Sequence, residues 1–296
     1  MRLRIGSVTT LLAAVAALAA GCGGAESSSG PAPALRSLAQ AATSTEQAGS
    51  YRFDLSMRMT MPGQSEAIEL TAAGAVDEAG RRASMTMDFG SMAGLFGGFG
   101  GQISAEDLRM ELRSTWPVVY IRMPFLAGKL PDGKEWVSLN IQALAKQQGM
   151  QLPGVGSLGQ SDPSAFLDFL KAANGDLTTL GTGKVAGVQT THYLARIDLG
   201  EFVRTLPAAQ RKQLRPALEQ LEQLTGNGTI APLVDAWVGN DGLLRRFAIA
   251  FSVPAGGQSM DLSMTMNLHD FGSDVDVEAP DPDDVADAAA LAGLGG

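Results

Sequence analysis

The sequence predicts an α+β domain built on one strongly curved antiparallel sheet of about eleven strands. Three observations carry that prediction. Apolar and polar residues alternate with period two over most of the chain, the mark of strands with one buried face. Successive alternating runs are joined by tight turns, whereas parallel neighbours need crossovers of a dozen or more residues. Helical segments are few. A large sheet with one apolar and one wet face cannot lie flat in water, so it must curl and bury its inner side, with short helices over part of the concavity.

Met1 to Gly21 reads as an export signal that precedes the folded domain. Arg2 and Arg4 give the positive start, Leu11 to Ala20 is an unbroken apolar run, and Leu18-Ala19-Ala20-Gly21-Cys22 closes it with small residues. The run is shorter than the ~20 apolar residues that span a bilayer. Small residues directly before a cysteine resemble the bacterial lipobox, in which the thiol receives a diacylglyceryl group and cleavage leaves the cysteine as the mature N-terminus. Cys22 is therefore the candidate lipidation site. Ala19 departs from that pattern, which prefers leucine three residues before the cysteine. The competing reading is an ordinary secretory signal followed by a chance cysteine. Acyl chains contribute about 0.8 kcal/mol per buried methylene, so two or three on one residue anchor stably. The expectation is a protein held by its N-terminal lipid at the extracytoplasmic face of the cell membrane. Residues 22–33 form the lipidated cysteine and a Gly/Ser/Pro-rich tether, flexible coil with a reach of roughly 35 Å.

The folded domain is expected over residues 34–280, opening with a helix from Ala34 to Gln47. Tyr51 to Met61 then alternates without a fault, Pro62-Gly63 suits a type II turn, and Glu66 to Asp77 returns as the hairpin partner. Arg82 to Phe89, Asp107 to Ser114, Val118 to Met123 and Glu135 to Leu139 continue the alternation. Asn140 to Gln148 reads as a helix, and Asp162-Pro163 caps and opens another through Ala173. Leu177 to Val185 and Val188 to Asp198 flank the turn Ala186-Gly187. Leu199 to Leu224 carries leucines at helical spacing, broken by Pro207 and Pro216. Leu233 to Gly239 and Leu243 to Val253 flank Asn240-Asp241-Gly242, a strong hairpin signal, and Ser259 to Asp270 closes the set. Residues 281–296, acidic and then Ala/Gly-rich, read as a disordered tail.

Composition narrows the function. The 296 residues carry 22 basic and 31 acidic side chains, a formal charge of -9. Nucleic-acid binding, which needs a basic footprint, is excluded as an expectation. Loss of Arg2 and Arg4 with the signal makes the mature chain more acidic still, so anionic lipid surfaces repel it. With one cysteine and two histidines, His192 and His269, neither a disulfide nor a Cys/His zinc site can be assembled, and no cofactor is implied. His192 and His269 have no acid or nucleophile at motif spacing, so both read as structural and the chain as no enzyme.

Methionine is the unusual feature. Tyr51, Phe53, Met57, Met59, Met85, Met87, Met110, Met260, Met264 and Met266 all fall in the apolar register of predicted strands. A closed core favours branched side chains with defined rotamers, whereas unbranched thioethers adapt to irregular partners and recur at promiscuous apolar surfaces. These ten residues are the candidate lining of a ligand cavity. Ordinary core packing is the bland alternative. A third reading is Cu(I) ligation, since Met57-Arg58-Met59, Met85-Thr86-Met87 and Met264-Thr265-Met266 each put two soft sulfurs on one strand face. The Gly-rich segment 90–101, with Leu95, Phe96 and Phe99, is a candidate lid; it lacks the Lys-Ser/Thr pair of a phosphate cradle.

The whole pattern resembles the actinobacterial LppX/LprG lipoproteins, with their LolA-like fold. The likeness rests on the lipobox, tether and first helix, on Trp136-Val137 after Pro131-Asp132-Gly133-Lys134, on Asp235-Ala236-Trp237-Val238-Gly239-Asn240-Asp241-Gly242-Leu243-Leu244-Arg245-Arg246, and on the closing Asp276-Val277-Glu278-Ala279-Pro280. It covers about Leu35 to Pro280 and depends on order and turns; no catalytic signature contributes. The resemblance implies a half-barrel of about eleven antiparallel strands with helices on the concave face and a hydrophobic cavity for acyl chains. It also implies movement of acylated lipids through the envelope, with an envelope transporter as a possible partner. Cys22 is the one functional position it carries over. The Gly/Phe loop and the long segment from Leu199 to Leu224 depart from the family pattern. The expected function is a membrane-anchored carrier of a lipid or other amphiphile. An interaction or signalling lipoprotein with a closed core, and a methionine-based Cu(I)-handling protein, stand as alternatives.

Overall fold

A computed structural model of the chain describes residues 31–61, 63, 66–92, 108–124, 128–147, 177–198, 203–204, 208, 211–212, 231–255 and 258–288. Among the described residues, twelve strands form one open, curved sheet. They are β1 (Ser50–Thr60), β2 (Ile68–Asp77), β3 (Arg82–Asp88), β4 (Arg109–Thr115), β5 (Val118–Arg122), β6 (Trp136–Asn140), β7 (Leu177–Val185), β8 (Val188–Arg196), β9 (Leu233–Gly239), β10 (Leu244–Ala255), β11 (Gln258–His269) and β12 (Val285–Asp287). The spatial order is β12-β6-β5-β4-β3-β2-β1-β11-β10-β9-β8-β7. The chain thus meanders outward from β1 to one edge and returns from the other edge to close beside β1.

Eleven of these strands lie where the alternation predicts them, all antiparallel to their sequence neighbours in the sheet. The turns explain the register. At Ala186-Gly187 both residues take positive φ, 47° and 83°, as a two-residue hairpin loop matched to strand twist requires.

The twelfth strand corrects the sequence reading at the C-terminal end. Residues 281–288 were expected in the disordered tail, yet Pro282–Asp284 form a 3₁₀ turn and β12 pairs parallel with β6, Val285 opposite Trp136 and Ala286 opposite Val137. The physical reason is local. Asp281 caps the turn by accepting a hydrogen bond from the Asp283 amide, and Lys134 Nζ donates to the Val285 carbonyl at 2.8 Å. The buried Ala286 fixes the strand against the sheet edge.

Two regular helices are described, α1 (Pro31–Gln47) and α2 (Ile141–Gln147). Ala34, Leu38, Ala41 and Thr45 recur at helical spacing on one face of α1 and are buried. Leu38, 2% exposed, sits in a cluster with Leu177, Tyr193, Ala195, Ile197, Val234, Ala236 and Val238. Thr45 Oγ1 accepts the Leu244 amide at 3.0 Å and so ties the end of α1 to the start of β10. The helix expected after Asp162-Pro163 lies outside the described residues, as does most of the Leu199–Leu224 segment, of which residues 203, 204, 208, 211 and 212 are helical.

Candidate functional site

Strand register decides which side chains share a face. Met57 pairs with Met264 and Leu70, Leu55 with Met266 and Ala72, Phe53 with Leu268 and Gly74, and Tyr51 with Val76. Met87 lies opposite Ala72 and Met110, and Met85 opposite Gly74 and Leu112. On the far side Phe247 faces Met266 and Ala236, Ile249 faces Met264 and Val234, and Met260 faces Val253. Residues directly opposite one another point the same way, so all ten candidate lining residues stand on a single face. Because Ala236 and Val234 belong to the cluster beneath α1, that face is also the one α1 covers at its β7–β10 end.

Its chemistry is uniform. From Val137 on β6 across to Val234 on β9, the inward register positions are aliphatic, aromatic, thioether or glycine except for Ser114, Gln258 at the start of β11 and the Tyr51 hydroxyl. None carries a charge at neutral pH. The opposite face holds the ions: Arg58 pairs with Glu69, Arg82 with Asp77, and Arg122 with both Glu111 and Glu135.

Burial is uneven along the inward rows. Leu268, Val76, Ala83, Ser114 and Val119, near the Tyr51 end of the strands, are buried, although Tyr51 itself is only partly so; Ala72 and Ile68, further along β2, are buried as well. Further along, Phe53, Met57, Met59, Met85, Met87, Met110, Met264 and Met266 are only partly buried, as are Leu70, Leu112 and Ile121. The partly exposed positions form one contiguous apolar basin rather than scattered residues.

The chain is similar to the mycobacterial lipoprotein LppX. The crystal structure of the Mycobacterium tuberculosis protein has 16% identity and a TM-score of 0.45, over 83% of this chain and 99% of that one. LprF from Mycobacterium bovis has 15% identity and a TM-score of 0.42, over 85% and 99%. A LolA superfamily protein from Nitrosomonas europaea has 8% identity and a TM-score of 0.29, over 81% and 94%. Identities this low with TM-scores below 0.5 assign no function. Among curated proteins, an uncharacterised 31.2 kDa protein from Streptomyces griseus is 27% identical over 166 residues, 55% of this chain and 52% of that protein. The chain thus matches about half the length of that relative. No family model matches the sequence.

Two grooves are described, and both open on the charged face. One, of about 360 Å³, lies between Ser84, Thr86, Glu111 and Arg113 and the segment Asp276–Glu278; the other, of about 420 Å³, is bordered by Asp54, Ser56, Thr71, Asp88 and Arg109. Val275 and Val277 hold that segment down by packing on Ala75 from the charged side. Alternation in Val275-Asp276-Val277 is the sequence signal for this packing.

The histidines also lie on the charged face. His192 Nε2 is 2.6 Å from Asp235 Oδ1, and its ring stacks on Trp237 at 4.1 Å. Sequence spacing could not show this acid partner, which lies 43 residues away and is delivered by pairing of β8 with β9. His269 contacts Asp54 at 3.2 Å and Asp270 at 3.0 Å. Among the described residues no cluster of three or more His, Cys, Asp or Glu side chains is arranged to hold a metal.

One titratable group sits where the inward face meets α1. Burial pushes the Glu78 carboxyl up to about 7, reinforced by the negative charges of Glu46 and Asp77 and opposed by a hydrogen bond from Tyr51. Its own amide donates to the Gly49 carbonyl at 2.8 Å, which places Glu78 beside the turn that ends α1. Cys22 and the lid candidates Leu95, Phe96 and Phe99 lie outside the described residues.

Proposed function

We propose that this chain is a non-enzymatic lipoprotein, anchored through a lipid on Cys22 at the extracytoplasmic face of the cell membrane. In this reading it carries a lipid or other amphiphile through the envelope on the inward face of its curved sheet, the concave one. The observation that supports this reading is the basin itself. A contiguous apolar surface with no charged group, left partly open by the strands and by α1, gains about 25 cal/mol for each Å² that a guest removes from water. An acyl chain matches it, having neither hydrogen bonds to satisfy nor charge to desolvate. Methionine suits such a face because its three rotatable bonds let one surface fit chains of different shape. A charged headgroup has no partner on the inward rows and stays at the margin, where a partner transporter in the envelope could receive it.

Native mass spectrometry of the full-length protein purified from its own membranes tests the proposal. The expected result is co-purifying lipid that is lost when Met264 and Met57 are replaced by aspartate. A clean mass without guest favours the closed-core signalling reading. One observation favours Cu(I) handling as a second reading: Met57 and Met264 face each other across the β1–β11 pair. Copper retained by the wild type and lost in M57L/M264L would establish it.

A further inference from the structure

Gly74 is an anomaly on the inward face. It lies in the middle of β2, paired on one side with Phe53 and on the other with Met85, and glycine in a strand interior weakens the strand unless something needs the space. Something does. A Cβ at Gly74 would lie 2.5 Å from Phe53 Cζ and 2.8 Å from Phe53 Cε1, and closer still to the Ser84 carbonyl oxygen. The Phe53 ring therefore lies across the bare backbone of its neighbouring strand.

The position of that ring matters. Phe53 belongs to the row Leu268–Phe53–Gly74–Met85–Leu112. On its one side are the rows of Met57, Met264, Met266, Met87 and Met110, partly open apart from the small Ala72; on the other is the row of Tyr51, Val76, Ala83, Ser114 and Val119, buried except for Tyr51. The ring thus stands at the boundary between open basin and closed sheet, reaching sideways over β2.

We propose that Phe53, seated on Gly74, is the depth stop of the basin and sets the length of acyl chain that the protein accepts. This inference rests on the carrier reading above. A chain lying along the strand direction, across the methionine rows, ends against the ring. Replacing Phe53 by a smaller residue opens the next stretch, about 7 Å for the two residues that separate inward rows at ~3.4 Å each. Each further methylene that is buried there tightens binding about fourfold.

The test uses the full-length chain and a series of phosphatidylcholines with acyl chains from 12 to 18 carbons, competed against one another in native mass spectrometry. Wild type is expected to prefer one length, Phe53→Ala a longer one, and Phe53→Leu one in between. Gly74→Ala lifts the ring and crowds the Ser84 carbonyl; it is read for folding by circular dichroism, where a lowered melting temperature is expected. A wild-type protein that binds and a Phe53→Ala protein that binds with the same length profile overturns the depth stop alone. A folded wild type that binds no member of the series defeats the carrier reading first. If Phe53→Ala fails to fold, Phe53→Leu decides: an unchanged profile in that variant refutes the inference.

Discussion

The two ends of this sheet solve the same problem differently. At the β7–β10 end, α1 lays Ala34, Leu38 and Ala41 onto Tyr193, Ala195, Ile197, Val234 and Ala236, and the largest of these side chains are all but sealed from water. Across β1, β3, β4 and β11 the same face carries Met57, Met85, Met87, Met110, Met264 and Met266, and none of them reaches that degree of burial. Composition follows burial in each half. Leucine, isoleucine and valine with defined rotamers fill the closed end, and the adaptable thioether occupies the open one. The difference teaches that burial, more than hydrophobicity, separates the residues that hold the fold from those left partly open on the same face.

Substitutions that exchange the two behaviours should break the comparison. The largest effect is expected for Leu38→Ala, which removes a fully packed side chain from the closed end and should cost about 2–5 kcal/mol in denaturant unfolding. By contrast, M57L/M264L keeps volume and polarity on the open face and should cost less than about 1.5 kcal/mol. Equal losses would show that both ends are ordinary core.

A charge on the open face should separate stability from binding. Met264→Asp is expected to weaken binding of a fluorescent fatty acid about tenfold or more, while unfolding shifts by about 1 kcal/mol, as for an average substitution. Loss of fold together with binding would place Met264 in the core.

Glu78 links the two regions through pH. Its carboxyl is raised from 4.5 to about 7 in the folded chain, so between those values the native state holds a proton that the unfolded chain has released. Stability therefore falls as pH rises from about 4.5 to 7, and the penalty is complete above 7. Glu78→Gln removes that slope. At pH 8 the variant should be more stable than wild type by roughly 1 kcal/mol, a figure reduced for partial solvent screening, and at pH 4 the two should melt alike. Parallel curves at both pH values would contradict the assignment.

The smallest effect belongs to the charged face. Arg58 and Glu69 pair there with both side chains 61% exposed. Arg58→Ala should change stability by no more than about 1 kcal/mol and leave fatty-acid binding unchanged.

Much of this was legible in the sequence, for physical reasons. The run from Tyr51 to Thr60 shows its buried face through simple alternation, and the ten candidate lining residues fell on one face because pairing with near-zero slippage preserves parity from strand to strand. Other features depend on contacts that no local pattern encodes. β12 is three residues in an acidic stretch, stabilised by Lys134 from 151 residues away. The Asp235 partner of His192 arrives by pairing of distant strands. Gly74 reads as a flaw in a strand until the Phe53 ring is seen above it. The raised Glu78 carboxyl arises from its burial in the folded chain, reinforced by Glu46 of α1, and neither is visible in the local sequence.

Methionine-methyl NMR during a lipid titration tests the central claim most directly. With ¹³C-methyl methionine in the full-length protein, stepwise addition of a phosphatidylcholine should shift or broaden the resonances of Met57, Met87, Met110, Met264 and Met266, while methyl signals of Leu38 and Ile197 in a second labelling stay in place. Saturating lipid that leaves those methionine signals unmoved, or that moves both sets alike, would contradict the account.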